Sequence, residues 1–192
     1  MKKKLIVGAT LVVALVVLGI GQSKIQEPSI AASNDVMAPH FLVDPFWPKP
    51  LPNHWAMGNT IGVDVDERDH IFIVHRNDAS QFGGNTEIGL QGGVAECCTP
   101  APPIIEIDIE GNIINAWGGP VEGAPYTWPA SNHGIEIAPN GDVWIGGNGA
   151  GDSHVLVFTR DGEYIRTIGM QGEDRNSNSE THYGRVAEIA ID

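Results

Sequence analysis

The chain is poor in basic residues: eleven Lys and Arg stand against twenty-four Asp and Glu, for a formal net charge of −13. Three lysines fall at positions 2–4, so the remainder carries a formal charge of about −16. Such a surface repels nucleic acid and anionic lipid. We therefore expect no nucleic-acid partner, and membrane contact only through the N-terminal segment.

Cysteine is almost absent, since the chain has two, and they are neighbours, Cys97 and Cys98. Two thiols in an oxidising compartment are expected to pair. Adjacent cysteines pair only in a strained ring outside the ordinary disulfide geometry. Two predictions stay open, a vicinal disulfide or two reduced thiols, and neither crosslinks distant segments.

The N-terminus indicates export. Lys2, Lys3 and Lys4 are followed by an uncharged apolar run, Leu5 to Ile20, which predicts a hydrophobic helix that is either a signal peptide or an anchor. Small residues on both sides of Gln22 suit cleavage there. We predict a periplasmic or extracellular protein with a leader over residues 1–22, and retention of the leader as a membrane anchor is the alternative.

Residues 23–55 predict a tether followed by a stiff arm. The tether is polar and lacks apolar periodicity. The arm contains Pro45-Phe46-Trp47-Pro48 and further proline and tryptophan up to Trp55. Proline at this density excludes a helix, and the aromatic content excludes a plain linker. We expect the arm to be extended and to pack on the domain that follows.

Internal repetition predicts the fold. Gly62 to Asp66 aligns with Gly134 to Ala138 at an offset of 72 residues, and the match continues without a gap into Ile71–Ile73 and Val143–Ile145. Each copy consists of an alternating strand, a polar turn and a second alternating strand. The turn sequence Pro139 to Asp142 is typical of a tight β-turn.

A second pair of strands repeats at a different offset. Residues Ile105 to Gly118 match Leu156 to Gly169 at 51 residues, because a long loop, roughly Asn77 to Pro103, interrupts the first copy. Four strands that recur at this spacing are typical of a β-propeller blade. We predict an all-β partial propeller over residues 56–192.

Its expected parts are blade one over about 56–120, blade two over about 128–170 and the first strand of a third blade over 186–192. A propeller has roughly four to eight blades in a closed ring. We therefore expect this chain to be the N-terminal fragment of a longer propeller. Closure by oligomerisation is the alternative.

The loops that lead into the first strand of each blade form the predicted ligand face. His133 directly precedes Gly134 there, next to Asn132, and a neutral imidazole can bind a metal or transfer a proton. The alternative for His133 is a plain hydrogen bond to a loop carbonyl. His75 and Arg76 end the second strand of blade one on the same face.

Arg76 offers a planar fork for a carboxylate. The alternative is a salt bridge to a nearby acid such as Asp78 or Glu87. Two further patterns are weaker. The glycine-rich segment 146–152 has no helix after it, so we interpret it as an inter-strand turn and not as a phosphate loop. The acidic residues of 64–69 lack the EF-hand spacing.

Three segments carry a family resemblance: Gly62 to Asp66, Ile73 to Arg76, and His133 to Ile137. They resemble the opening blades of peptidyl-α-hydroxyglycine α-amidating lyase, a six-bladed propeller of the NHL-repeat type, and the resemblance extends over about Ile61 to Asp192. The Pro-Phe-Trp-Pro arm and the element Glu96-Cys97-Cys98 are similar to bacterial exported NHL-repeat proteins.

The resemblance implies zinc and calcium as cofactors. In that family zinc polarises the substrate and a base removes the hydroxyl proton, which releases glyoxylate. His133 would be a zinc ligand and Arg76 the catalytic arginine that handles the substrate. The backbone carbonyls of Val63 and Ile135 would hold a structural calcium. The remaining zinc ligands and the catalytic tyrosine would fall in later blades, since His182 and Tyr183 are displaced from the matching position and Arg185 lies nearer to it.

Two functions follow as hypotheses. The complete protein is a metal-dependent lyase acting on a peptide or small carboxylate-bearing ligand, in which case this fragment is expected to be inactive. The alternative is a non-catalytic propeller scaffold that binds a protein, peptide or small molecule. A redox role for Cys97 and Cys98 is a third and weaker hypothesis, because no cation nearby would lower a thiol pKa.

Overall fold

The structure is a computed structural model that describes residues 40–77, 98–172, 176 and 178–191. The chain divides into two compact units, Met1–Val43 and Asp44–Asp192, and the second contains all of the described strands. The predicted leader and tether, Cys97, and most of the long loop of blade one lie outside the described residues. Within the described ranges, no helix has the length and apolar character needed to cross a bilayer.

The first half of the unit contains a four-stranded antiparallel sheet in the order β2-β3-β5-β6. A short parallel pair, β1 with β4, accompanies it through the register Trp55 to Thr99. The strands are β1 Trp55–Ala56, β2 Thr60–Val65, β3 Ile71–His75, β4 Thr99–Pro100, β5 Ile104–Ile107 and β6 Ile113–Trp117. The parallel pair was not predicted, because neither segment alternates or carries a turn.

The second half repeats this arrangement in a sheet of order β7-β8-β9-β10. Its strands are β7 Asn132–Ile137, β8 Val143–Gly147, β9 His154–Phe158 and β10 Tyr164–Gly169. The registers match as well, since Ile73 pairs with Ile105 in the first sheet and Ile145 with Leu156 in the second. The predicted all-β class is confirmed, and the four predicted strands of each copy are present.

Local sequence explains the first turn of each sheet. In the first, Asp66 Oδ1 accepts hydrogen bonds from the backbone N–H of Arg68 and His70. In the second, Gly141 adopts φ of 88°, a left-handed conformation that costs a glycine little, and its N–H donates to Ala138 O. Short polar side chains and glycine therefore end the strands where the sequence predicts.

The two sheets share one hydrophobic core. Its buried members come from both halves of the unit: Phe72, Val74, Ile104, Trp128, Ile135, Val143, Ile145, Leu156 and Phe158. Phe158 lies at the centre of the aromatic part, with ring centroids 5.2 Å from Trp117 and 5.1 Å from Tyr126. Burial of this apolar surface is the main term that holds the sheets together.

Two edge strands, β2 of the first sheet and β7 of the second, run closely past each other, and we call them the inner strands. A Cβ added to Gly62 would lie 2.6 Å from His133 O, so only glycine permits this approach. Two residues on, Asp64 Oδ2 accepts a hydrogen bond of 2.6 Å from Ile137 N. A carboxylate of one sheet thus binds the backbone of the next.

The third copy of the repeat lies against β7 in the corresponding way. A Cβ on Gly134 would be 3.2 Å from Ala187 O, and Glu136 Oε1 accepts a hydrogen bond of 3.3 Å from Ile191 N. These positions match Gly62 and Asp64 at the repeat offset. The described residues of this copy, 186–191, form no strand. A first strand pairs with the second strand of its own sheet, and the described ranges contain no such partner.

The arm packs on the first sheet as the sequence predicts. Trp47 Nε1 donates to Ile109 O at 3.2 Å, and Trp117 Nε1 donates to Arg160 O at 3.0 Å. Ile109 and Arg160 occupy equivalent turns, between β5 and β6 and between β9 and β10. Trp47 therefore covers the first sheet in the same way that the last residue of β6 covers the second.

A charged cluster joins the two sheets at the opposite end from His75. Arg160, from the β9–β10 turn, forms ion pairs with Asp66 and Glu106 of the first sheet. Its Nη2 is also 2.6 Å from His70 Nδ1. The side chains of Asp66 and Glu106 are 6% and 4% exposed, so Arg160 neutralises two nearly buried carboxylates.

Candidate functional site

The predicted ligand face lies where β3 ends and β7 begins. His75, the last residue of β3, is fully buried and both of its nitrogens are engaged. Nε2 donates to Pro102 O at 2.8 Å, and Nδ1 accepts from Gly58 N at 3.2 Å. Burial lowers the pKa of His75, although hydrogen bonding to the Pro102 carbonyl opposes the shift. His75 therefore stays neutral and supports the loops around it without facing a ligand.

Arg76 is half-buried, and most of its side-chain donors have no partner among the described residues. Its backbone N–H binds Asn59 O at 3.0 Å, and Nη2 donates to Asn148 Oδ1 at 3.3 Å. Nε is buried and has no hydrogen-bond partner in the part of the chain that the structure describes. No acid within the described ranges pairs with this guanidinium. Asp78 and Glu87 lie outside those ranges, so the salt-bridge alternative stays a prediction.

Asn148 and Ser131 orient Arg76, and the sequence did not single them out for this role. Ser131 Oγ donates to Asn148 Oδ1 at 2.9 Å, and Asn148 N donates to Ser131 O at 3.0 Å. Asn148 belongs to the glycine-rich segment that we interpreted as an inter-strand turn. The segment is such a turn, but its one amide side chain contacts the predicted ligand-binding arginine.

Asn132 connects the two sheets and is 1% exposed. Its Nδ2 donates to His75 O at 2.9 Å, and its Oδ1 accepts from Trp128 Nε1 at 2.8 Å. Burial at this depth keeps Asn132 from direct contact with a ligand. It holds the start of β7, and therefore the neighbouring His133, against the end of β3.

His133 makes the hydrogen bond to a loop carbonyl that was one of its two predicted roles, and the metal-binding role stays a prediction. It is half-buried, and Nδ1 donates to Ala187 O at 2.7 Å. Because a carbonyl only accepts, this bond places the proton on Nδ1 in the neutral ring and leaves the Nε2 lone pair available. Nothing in the described ranges donates to Nε2. Carbonyl-bound imidazoles of this kind are typical metal ligands.

A cavity of about 350 Å³ lies beside His133 along the inner strands. Three matching segments line it: Ile61–Val63, His133–Glu136 and Ala187–Ile189. Val63 and Ile135, the predicted backbone ligands of calcium, are equivalent positions and both belong to this lining. His182 and Tyr183 do not belong to it; they lie against Gly172 and Gly169.

The residues described so far do not complete a metal site. Within the described ranges, no group of three or more His, Cys, Asp or Glu side chains is close enough to hold an ion. Zinc in proteins takes three or four such ligands, and calcium six to eight oxygens. His133 alone does not hold zinc, so no chemical step is assigned to a metal here.

Cys98 is disulfide-bonded and does not titrate. Cys97 falls in a part of the chain that the structure does not describe, so the vicinal pairing stays a prediction. Cys98 directly precedes β4, which places the oxidised residue beside the short parallel pair and outside the lining of the cavity at His133.

Comparison with known proteins gives no relative: no family model matches the chain, and no curated protein matches it.

Proposed function

We propose that this chain forms the opening blades of an NHL-type, six-bladed β-propeller, and that the face with Arg76 binds a peptide or small molecule through a carboxylate. Two meanders of identical strand order, with inner strands side by side, support the propeller. The observation that carries the binding function is the guanidinium of Arg76. It is held by Asn148 and lacks an acidic partner within the described ranges.

The chemistry of the surroundings favours a carboxylate. The protein is strongly acidic, and yet Arg76 forms no ion pair with a described residue. The reason must therefore lie in the surroundings of Arg76 and not in a shortage of acidic residues. Nη2 donates to Asn148, and Nη1 has no hydrogen-bond partner among the described residues. A carboxylate fits a fixed guanidinium plane through two parallel hydrogen bonds. A bound carboxylate would neutralise the charge of Arg76 and accept hydrogen bonds from its guanidinium.

Calorimetric titration with an N-acyl α-hydroxyglycine dipeptide tests this proposal, with its methyl ester as the matched ligand that lacks the charge. We expect the acid to bind at least about tenfold more tightly than the ester, which is one charge-assisted hydrogen bond. Arg76→Met should remove the preference. Arg166→Met, at an exposed arginine on β10, is the control and should retain it. Equal affinities for acid and ester in the parent chain would refute the proposal.

A metal-dependent lyase related to the peptide-amidating enzymes is the second candidate. The observation that favours it is the tautomer of His133, whose Nδ1 is bound to Ala187 O while Nε2 has no described donor. His133 would be one zinc ligand and Arg76 would hold the substrate carboxylate. The cavity lined by Val63 and Ile135 is where a calcium ion would bind backbone oxygens.

Glyoxylate release from the same dipeptide separates the lyase from the scaffold. Because the lining of the cavity contains one imidazole among the described residues, we expect this 192-residue chain to bind the acid without turning it over, with or without added zinc. Zinc-dependent release that His133→Ala abolishes and His182→Ala leaves intact would contradict that expectation and establish the lyase.

We also propose that the protein works outside the cytoplasm, in the periplasm or extracellular space. The basic and apolar N-terminal segment and the disulfide at Cys98 both favour an oxidising compartment. Fractionation of cells that express the chain would test this. Recovery of the protein in the cytoplasm with reduced cysteines would refute it.

A further inference from the structure

We propose that Asp152 positions Arg76 for its ligand. It acts through two backbone segments, one just before β7 and one just after β8, to which its carboxylate is hydrogen-bonded. The consequence for ligand binding rests on the function proposed above. The positioning itself rests on contacts within the protein. Asp152 lies between β8 and β9, and by sequence alone it is only the last residue of a glycine-rich turn.

The carboxylate of Asp152 is 1% exposed and is surrounded by backbone donors. Oδ1 accepts from Ala130 N at 2.8 Å, and Oδ2 accepts from Ser131 N at 3.0 Å and from Gly149 N at 2.8 Å. No described cation pairs with it. A buried anion of this kind is stabilised by converging N–H groups, which it in turn holds in place.

The glycines beside Asp152 make room for the carboxylate. A Cβ added to Gly147 would lie 2.5 Å from Oδ2, and one added to Gly149 would lie 2.7 Å from it. Both are tighter than a real side chain tolerates. The carboxylate therefore accounts for glycine at 149 and, together with Pro129, at 147, whereas Gly146 lies against Val186.

Comparison of the two sheets shows that the arrangement is local. At the repeat offset of 51 residues, Asp152 corresponds to Ala101, which is fully buried and apolar. The first sheet forms the same four strands without a carboxylate at this position. Asp152 is therefore not needed for the meander itself. At this end the second sheet also contacts Arg76, through Asn148.

The path from Asp152 to Arg76 is short. Two of the three N–H groups that Asp152 binds belong to Ser131 and Gly149, and Gly149 directly follows Asn148. Ser131 Oγ and Arg76 Nη2 both donate to Asn148 Oδ1. Asp152 thus fixes the two loops whose side chains meet at the guanidinium, and loss of its charge should release Arg76.

The experiment uses Asp152→Asn in the full chain, with Asp142→Asn as the control at the opposite end of the same sheet. An amide at 152 keeps the shape but turns one acceptor into a donor that faces N–H groups. The first measurement needs no ligand. It is the side-chain Nε–Hε NMR resonance of Arg76, assigned by its absence in Arg76→Met. We expect Asp152→Asn to shift or broaden this resonance and Asp142→Asn to leave it unchanged.

The second measurement is the ratio of affinities for the hydroxyglycine dipeptide and its methyl ester. Asp152→Asn should lower that ratio about tenfold, the worth of one charge-assisted hydrogen bond. In an Arg76→Met background it should have no further effect, whereas a general loss of structure would weaken acid and ester equally. If Asp152→Asn does not fold, Asp152→Ser, which keeps one acceptor, replaces it.

The outcomes separate the two proposals. An unshifted Arg76 resonance in folded Asp152→Asn overturns the positioning role, whatever binds. A shifted resonance in a chain that binds acid and ester equally supports positioning and refutes the carboxylate function. If Asp152→Asn also lowers the acid-to-ester ratio in the Arg76→Met background, the proposal is overturned, since Asp152 would then act by a route that does not include Arg76.

Discussion

Replacing Arg160 with Met should remove the ion pairs between the two sheets while keeping most of the side-chain volume. The aliphatic part of Arg160 would persist, but the guanidinium that contacts Asp66 and Glu106 and lies 4.9 Å from the Phe72 ring centroid would be gone. Removing one partner of a buried ion pair costs about 3–5 kcal/mol. Arg160 is 19% exposed, and backbone donors to Asp66 remain, so we expect the lower end, about 3 kcal/mol at pH 7.

The dependence of this loss on pH follows from Asp66. Burial raises the pKa of the Asp66 carboxyl, but hydrogen bonds from Arg160 and from the backbone of His70 and Arg68 outweigh it and lower the pKa from 3.8 to about 2. Because the pKa of Asp66 is lower in the folded state, its carboxylate stabilises that state at pH values above the unfolded pKa of 3.8. This stability is lost as the pH falls through about 2. The difference corresponds to about 2 kcal/mol.

Urea unfolding monitored by tryptophan fluorescence at pH 7, 4 and 2 measures both effects. The gap between the parent chain and Arg160→Met should shrink from pH 7 to pH 2 by less than about 2 kcal/mol, because the protonated Asp66 carboxyl no longer needs the cation, whereas its backbone donors are present in both chains. Arg166→Met, whose guanidinium lies 5.3 Å from the Trp144 ring, should cost about 0.5–1 kcal/mol at each pH. A loss for Arg160→Met that is the same at all three values would refute the electrostatic explanation.

Two further predictions concern the contacts between repeats. Gly62→Ala should cost about 2–3 kcal/mol in urea unfolding, since its Cβ would lie 2.6 Å from His133 O, and Gly134→Ala should cost less because its nearest backbone atom is at 3.2 Å; equal losses would contradict this. Trp47→Phe and Trp117→Phe should each cost about 1 kcal/mol by leaving a turn carbonyl without its indole donor, and a loss confined to Trp117→Phe would show that the arm does not stabilise the first sheet.

The repeat predicts the strands well for a physical reason. Gly62 to Asp66 and Gly134 to Ala138 alternate with the period of a half-buried strand, and turn residues follow both. Each of these patterns lies within a short stretch of the chain, so it can be recognised without knowledge of the fold. The parallel pair β1 and β4 joins residues 44 apart in the chain through two-residue segments, which carry no period at all.

The site is less visible in the sequence, because its contacts join distant positions. Arg76 and His133 stand out by residue type and by their place at strand ends. The partner of Arg76 is Asn148, 72 residues away, and the partner of Asn148 is Ser131. An amide and a hydroxyl in polar loops have no pattern that marks them. Only the packing of β7 and β8 against β3 brings them to the guanidinium.

Departures from the repeat therefore identify specific chemistry better than the repeat itself. Positions that match at the offset, such as Gly62 with Gly134 and Asp64 with Glu136, hold one copy of the repeat against the next. The fold needs these contacts whether or not a ligand binds. Asp152 replaces an apolar residue, and its carboxylate serves loops that the first sheet arranges differently. Burial of a charge carries a desolvation penalty. At Asp152 three backbone N–H groups of the loops beside Arg76 offset that penalty, and they are the contacts through which we propose that it acts.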